Sequence, residues 1–217
     1  MNLINYILIN YNKILFETLQ HMKLIALSLP FSILIGVPIG IFISKNSKIA
    51  NITLQIAGIL MTIPSLALFG IMVVILAPIK AGIGTTPAVI ALIIYSLMPI
   101  IRNTLIGIKS INIKIIESAK GMGMTSSQIL LKIKLPLSIP IIMSGIRNAV
   151  VMGVGIATLG YFVSSGGLGY FIFAGLSRSR YEMVITGVIL ISFLGIMTNY
   201  LLIKLENLIT SKGLKIK

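Results

Sequence analysis

Residues 109–136 of this chain have the sequence KSINIKIIESAKGMGMTSSQILLKIKLP. The segment contains five lysines and Glu117, which is one of only four carboxylates among 217 residues. Long uncharged apolar segments flank it on both sides. A charged segment between apolar ones predicts a loop that connects two membrane spans. Its lysines and its local helix signals indicate a docking element for a partner.

The first half of this segment predicts a short helix that ends near Lys120. Asn112 can cap its start, because an asparagine side chain accepts a hydrogen bond from a free amide of the first turn. Ile113, Ile116 and Ala119 recur at the helical period, so we expect them to form one apolar face.

Two glycines and a capping signal separate this helix from a second one. Gly121 and Gly123 are expected to break the first helix, since glycine reaches backbone conformations that other residues avoid and is unfavourable inside helices. Thr125 and Gln128 have the spacing of a capping box, which predicts a new helix start. Pro136 is expected to bend or end that helix. The alternative to this helix, glycine turn and helix unit is an ordinary cytoplasmic loop.

The composition places the chain in a bilayer. Its residues are 57% hydrophobic and its mean hydropathy is +1.07, which leaves too few charges to cover a soluble surface. A span of a hydrocarbon core of about 30 Å needs about 20 apolar residues. We therefore predict an all-α polytopic membrane protein with five transmembrane helices, at residues 24–44, 54–76, 86–106, 138–162 and 183–204.

The N-terminal residues have a different pattern. Over residues 1–23, apolar side chains fall on one helical face and polar ones on the other, and no basic segment precedes the apolar residues. This predicts an interfacial amphipathic helix, neither a span nor a cleavable signal peptide. We expect His21 to be an interfacial side chain. The predicted organisation is this helix, a membrane domain over 24–204 and a basic cytoplasmic tail over 205–217.

The lysines and arginines predict the orientation. With the loop 109–136 in the cytoplasm, twelve of these residues lie on the cytoplasmic side and five on the outer side. We therefore expect the N-terminus outside and the C-terminus in the cytoplasm. A basic cytoplasmic rim facing anionic lipid accounts for the net charge of +14 without a nucleic-acid partner.

The sequence offers no catalytic constellation. It has no aspartate, no cysteine and one histidine, so we expect no catalytic residue, no metal site and no cofactor. It also lacks the G-x-x-x-x-G-K-[ST] phosphate loop. Arg147, a charge inside the fourth predicted span, can line a pathway or snorkel to the interface. Because a lone arginine cannot relay a proton, it gives little support to the alternative of an ion-coupled secondary transporter.

The segment 109–136 resembles the EAA loop of bacterial ABC importer permeases. The similar pattern is Glu117-Ser118-Ala119, three residues, Gly123, nine residues, Ile133, one residue and Leu135-Pro136. Ser118 departs from the family, which usually has alanine there. Four further stretches, 63–68 (IPSLAL), 99–104 (PIIRNT), 120–125 (KGMGMT) and 166–169 (GGLG), are similar to permeases of osmoprotectant uptake systems, which carry glycine betaine, carnitine or choline.

This resemblance implies a fold, partners and a location. The fold would be a type I ABC importer permease core like that of the methionine permease. ATP would be bound by a separate ATPase subunit, and the assembly would add a second permease chain, identical or paralogous, and an extracytoplasmic substrate-binding protein in the bacterial cytoplasmic membrane. The alternative substrate is methionine or another amino acid.

The resemblance and the pattern together give two groups of candidate site residues. The ATPase-coupling loop comprises Glu117, Ser118, Ala119, Gly121, Gly123, Ile133, Leu135 and Pro136. Candidates for the pathway or an outer gate are Tyr95, Arg147, Tyr161, Phe162, Gly166, Gly167 and Gly169. The alternatives are that the aromatic rings pack against neighbouring helices and that the glycines form a flexible connection.

Overall fold

The computed structural model of the chain describes residues 2–210, and within that range it is built from helices without a strand. The α-helices are α1 (Leu3–Ile9), α2 (Tyr11–Ile43), α3 (Ser47–Thr62), α4 (Ser65–Leu76), α5 (Thr85–Lys109), α6 (Ile113–Gly121), α7 (Ser126–Ile129), α8 (Leu135–Ile156), α9 (Gly169–Ser177) and α10 (Tyr181–Ile209). A π-turn (Leu130–Lys134) joins α7 to α8, and 3₁₀ turns follow α4 (Ala77–Ile79) and α8 (Ala157–Val163).

Five apolar units of this fold can cross a membrane. Four are continuous helices, namely α2, α5, the run Ser126–Val163 and α10. The fifth is the pair α3 and α4, whose axes differ by 96° across a short break. The predicted all-α fold with five spans is confirmed when the bent pair is taken as one span, and the second predicted span, 54–76, corresponds to this pair.

The break between α3 and α4 has a local cause. Proline lacks an amide hydrogen and keeps the preceding residue out of the helical region, and Ile63 before Pro64 accordingly has ψ 125°. The Tyr95 hydroxyl of α5 donates a hydrogen bond to the carbonyl oxygen of Ile63. Tyr95 is 6% exposed, so it stabilises the break from the protein interior.

The two ends of the chain differ from the predicted boundaries. The N-terminal segment is two helices separated at Asn10, and α2 continues through residue 23 without a break. At 33 residues, or about 50 Å, α2 exceeds the length of one span. The membrane position of 1–23 therefore stays a prediction, but residue 23 is not a structural boundary. At the other end α10 continues past residue 204 to Ile209, and residues 211–217 of the predicted basic tail lie outside the described residues.

Helix α5 lies at the centre of the bundle and packs against α2 and α8. Small residues allow these backbones to approach closely. A Cβ atom at Gly40 of α2 would lie 2.5 Å from the Thr104 Cβ of α5, and one at Gly145 of α8 would lie 2.6 Å from the Asn103 Cβ. This packing fixes α5 and α8, which flank the loop 109–136.

Candidate functional site

The first half of the candidate coupling loop, residues 109–136, forms the predicted short helix. The Asn112 side chain accepts a hydrogen bond from the Lys114 amide at 2.9 Å and starts α6. Glu117 and Ser118 are exposed, whereas Ala119 is 1% exposed and packs into the chain. Of the three residues expected on its apolar face, Ile113 is 61% exposed, Ile116 is partly exposed and Ala119 is buried.

The end of α6 is a Schellman motif centred on Gly123. The Gly123 amide donates to the Lys120 carbonyl at 2.9 Å, and the Met124 amide donates to the Ala119 carbonyl at 3.1 Å. Gly123 has φ +80°, a conformation that favours glycine, while Gly121 is the last residue of the helix itself. Gly123 alone therefore makes the turn.

The second half of the loop is continuous with a membrane span. Thr125 and Gln128 form both hydrogen bonds of the predicted capping box and start α7. The helix does not end at Pro136, because one helical run extends from Ser126 to Val163. The π-turn before Pro136 shifts the hydrogen-bond pattern, so that the proline falls in the first turn of α8, where no amide hydrogen is needed. Ile133, Leu135 and Pro136 are consequently half-buried parts of this run.

The coupling loop presents an apolar surface with basic edges. Ile113, Met122 and Leu131 are each more than 60% exposed. A cleft of about 580 Å³ opens between this loop and the end of α2, and Lys45, Lys120 and Lys134 are among its lining residues. Exposed apolar side chains ringed by charge are typical of a protein interaction site.

The glycine turn at residues 166–169, which is predicted to lie on the outer side, is held by two buried side chains of α2. Gly166 and Gly167 have φ +74° and +98°. The carboxylate of Glu17, 3% exposed, accepts a hydrogen bond from the Gly167 amide at 2.8 Å. The Leu168 amide donates to Nδ1 of His21 at 3.3 Å, so Nε2 carries the ring hydrogen and donates it to the Val154 carbonyl at 3.0 Å.

This arrangement corrects the prediction that His21 is interfacial, since the side chain is 0% exposed. Glu17 was not among the predicted site residues, yet it forms a 2.6 Å ion pair with Lys13 besides its bond to the turn. The available signal was the i, i+4 spacing of Glu17 and His21, which places both on one face of α2. A side chain at Gly169, the next glycine of the turn, would collide with the Thr158 carbonyl. The turn is therefore hydrogen-bonded to α2 and closely packed against the segment after α8.

The aromatic candidates pack against one another and against the bundle. The ring of Tyr161 stacks on Phe173 with centroids 5.8 Å apart, and Phe162 lies 4.6 Å from the same ring. Phe162 is 50% exposed. The Tyr95 hydroxyl is hydrogen-bonded to the Ile63 carbonyl oxygen at the break in the second span. Tyr95 belongs to a different core cluster from Tyr161, so the structure does not bring the three rings together.

Arg147 has a partner. Its guanidinium donates a hydrogen bond to the Glu206 carboxylate at 2.9 Å, which ties α8 to α10. Both side chains are partly exposed, at 26% and 20%. The pair neutralises the charge that the sequence analysis had treated as a lone cation.

The membrane fold and the helix, glycine turn and helix loop between its spans define a multi-pass membrane transport component. The chain belongs to the family described as binding-protein-dependent transport system inner membrane component, whose pattern matches residues 32–210.

Proteins similar over nearly the whole chain are permeases. The osmoprotectant import permease protein OsmW of Salmonella typhimurium is 40% identical, over 99% of this chain and 100% of that protein. The carnitine transport permease protein OpuCB of Listeria monocytogenes is 38% identical over 95% and 92%, respectively. The glycine betaine/carnitine/choline transport system permease protein OpuCB of Bacillus subtilis is 37% identical over 95% and 93%.

A solved structure has the same fold. A chain of the MetNI methionine ABC transporter, in an inward-facing conformation, superposes with a TM-score of 0.79, and the match covers 88% of this chain and 94% of that chain. The sequence identity is 22%, so the likeness concerns the fold and not the substrate.

Proposed function

We propose that the chain is the transmembrane permease subunit of an ATP-driven importer for osmoprotectants such as glycine betaine, carnitine, choline or similar quaternary amines. The observation that carries this proposal is similarity at 37–40% identity, over nearly the full length, to permeases named for these solutes. The likeness to a methionine transporter is one of fold, at 22% sequence identity, and gives much weaker support to methionine as the substrate.

The coupling loop is the element that would connect the pathway to an energy source. Since the sequence lacks a phosphate loop, ATP would be bound and hydrolysed by a separate subunit docked on α6 and the start of α7. Docking at this surface is supported by the exposure of Glu117, Ile113 and Met122. Ala119 supports it indirectly, because its burial fixes α6 against the rest of the chain.

The remaining partners would be a second permease chain and an extracytoplasmic binding protein. Five spans enclose little space, so a pathway between two chains is favoured on packing grounds. The proposed location is the bacterial cytoplasmic membrane, with the N-terminus outside and the C-terminus in the cytoplasm. The excess of lysine and arginine on the loop side supports this orientation.

Uptake measurements test the proposal. Deleting the gene should lower uptake of radiolabelled glycine betaine, carnitine or choline at high osmolarity, and a plasmid copy should restore it. Methionine uptake in the same cells is the control and should not change. A fall in methionine uptake with unchanged osmoprotectant uptake would show that the alternative substrate is correct.

A further inference from the structure

Two arginines lie within helices that can cross the membrane, and they differ in their surroundings. Arg147 of α8 is paired with Glu206 at 2.9 Å. Arg102 of α5 is exposed, and among residues 2–210 its side chain forms neither an ion pair nor a hydrogen bond. Arg147 was the arginine predicted to line a pathway, but Arg102 is the one of the two whose charge is uncompensated.

An uncompensated charge within a membrane helix is costly, and such residues usually face a solute pathway or a water-filled cavity. Arg102 lies seven residues before the end of α5 at Lys109, or about 10 Å along the helix. Snorkelling toward the cytoplasm would relieve part of the cost. It would not account for the polar residues that surround this position.

Arg102 lines a cleft of about 400 Å³ between the break in the second span, α5 and α8. This volume is within the range of about 300–1,000 Å³ that is usual for small-molecule sites. Asn103 and Asn148 are the other polar lining residues, while Met61 and Met98 contribute thioethers. Like Arg102, neither asparagine side chain hydrogen-bonds within the described part of the chain. The cleft therefore offers one cation, two free amides and an apolar wall, without a carboxylate.

We propose that this cleft is a transit site for a small zwitterion, and this inference rests on the proposed function. The planar guanidinium of Arg102 matches a carboxylate, which it can bind through two parallel hydrogen bonds, and the asparagine amides can donate further ones. The methyl groups of a quaternary ammonium would lie against the polarisable sulfur atoms of Met61 and Met98.

The proposal makes a distinction within the substrate class. Glycine betaine and carnitine carry a carboxylate, whereas choline has a hydroxyl at the corresponding end. A purely cationic solute would meet the Arg102 charge without any compensating acidic group in the cleft. The site therefore favours zwitterions over choline, independently of any selection by a binding protein.

The absence of cysteine from the chain allows a direct test. The full chain with Met98→Cys has a single thiol in the cleft, and its rate of labelling can be measured in lipid nanodiscs with glycine betaine or choline added. Glycine betaine should slow the labelling, and choline should not. Arg102→Gln should raise the glycine betaine concentration needed for half-protection roughly tenfold or more, since a hydrogen bond between charged groups is lost.

Lys109→Gln is the matched control, because it removes the same charge from the same helix outside the cleft and should leave protection unchanged. Met61→Cys repeats the experiment from the other wall if the first variant does not fold. Equal protection by both solutes, no protection by either, or equal effects of the two glutamine variants would overturn the proposal. In those cases Arg102 only snorkels or meets a second permease chain. None of these results would refute the proposed function, because that function is tested separately by osmoprotectant uptake in cells.

Discussion

The contact between Glu17 and the outer glycine turn gives a quantitative prediction. Glu17→Ala removes the acceptor of the Gly167 amide, which lies in a buried site. Losing a hydrogen bond to a charged acceptor and leaving a buried donor unpaired costs about 1.5–3 kcal/mol. Because this cost is local, we expect the turn to open more often while the helix bundle stays folded.

Hydrogen exchange measures this opening directly. In peptides that cover residues 164–170, Glu17→Ala should speed amide exchange roughly 10- to 100-fold, since each 1.4 kcal/mol corresponds to a factor of ten. Glu17→Gln should have a much smaller effect, because its amide oxygen can still accept from Gly167. The glutamine loses the ion pair to Lys13, but that lysine side chain is 45% exposed and the pair contributes at most about 1 kcal/mol.

The control is Glu117→Ala, which removes an exposed carboxylate far from the turn and should leave its exchange unchanged. Unchanged exchange in Glu17→Ala would refute the reasoning, because the turn would then be stable without its acceptor. Equal acceleration by Glu17→Ala and Glu17→Gln would also refute it, since the charge and not the hydrogen bond would then be responsible.

Two further predictions concern the coupling loop and its orientation. Gly123→Ala should lower the stability of the turn by about 1 kcal/mol and reduce co-purification of an ATPase subunit, because Gly123 has φ +80°. At Gly121 a side chain would also meet open space, but the backbone there is helical. Gly121→Ala should therefore be neutral or stabilising. If both alanine variants retain the ATPase equally, the turn does not present the docking surface. In the cysteine-free chain, Lys80→Cys should react with a membrane-impermeant reagent in intact cells and Lys132→Cys should not, and labelling at position 132 would contradict the proposed orientation.

The coupling loop was largely predictable from the sequence because its signals are local. The cap at Asn112, the capping box of Thr125 and Gln128 and the turn at Gly123 each depend on residues within a few positions of one another. Such signals act through backbone hydrogen bonds that form wherever the segment lies in the fold. The number of spans was equally predictable, since it depends on the length of the apolar segments alone.

The contacts of Glu17 and His21 were not predictable from the sequence in the same way. Their partners in the glycine turn lie 150 and 147 residues away along the chain, respectively. On the sequence, both residues fit the polar face of an amphipathic helix, and nothing local distinguishes a polar face in the headgroup region from one that is buried against a glycine turn. Arg147 presents the same difficulty, because Glu206 is 59 positions distant.

Pro136 shows how a local rule fails when a second local element compensates for it. A proline inside a helix normally removes a hydrogen bond and breaks the run, but the π-turn Leu130–Lys134 places Pro136 where no donor is required.

As a result, one helical run of 38 residues starts at the coupling loop and ends at Val163, next to the outer glycine turn. At about 57 Å it is longer than the hydrocarbon core is thick. The two candidate sites therefore lie at opposite ends of a single helix, and the π-turn and the proline are the positions at which a bend in that helix is expected.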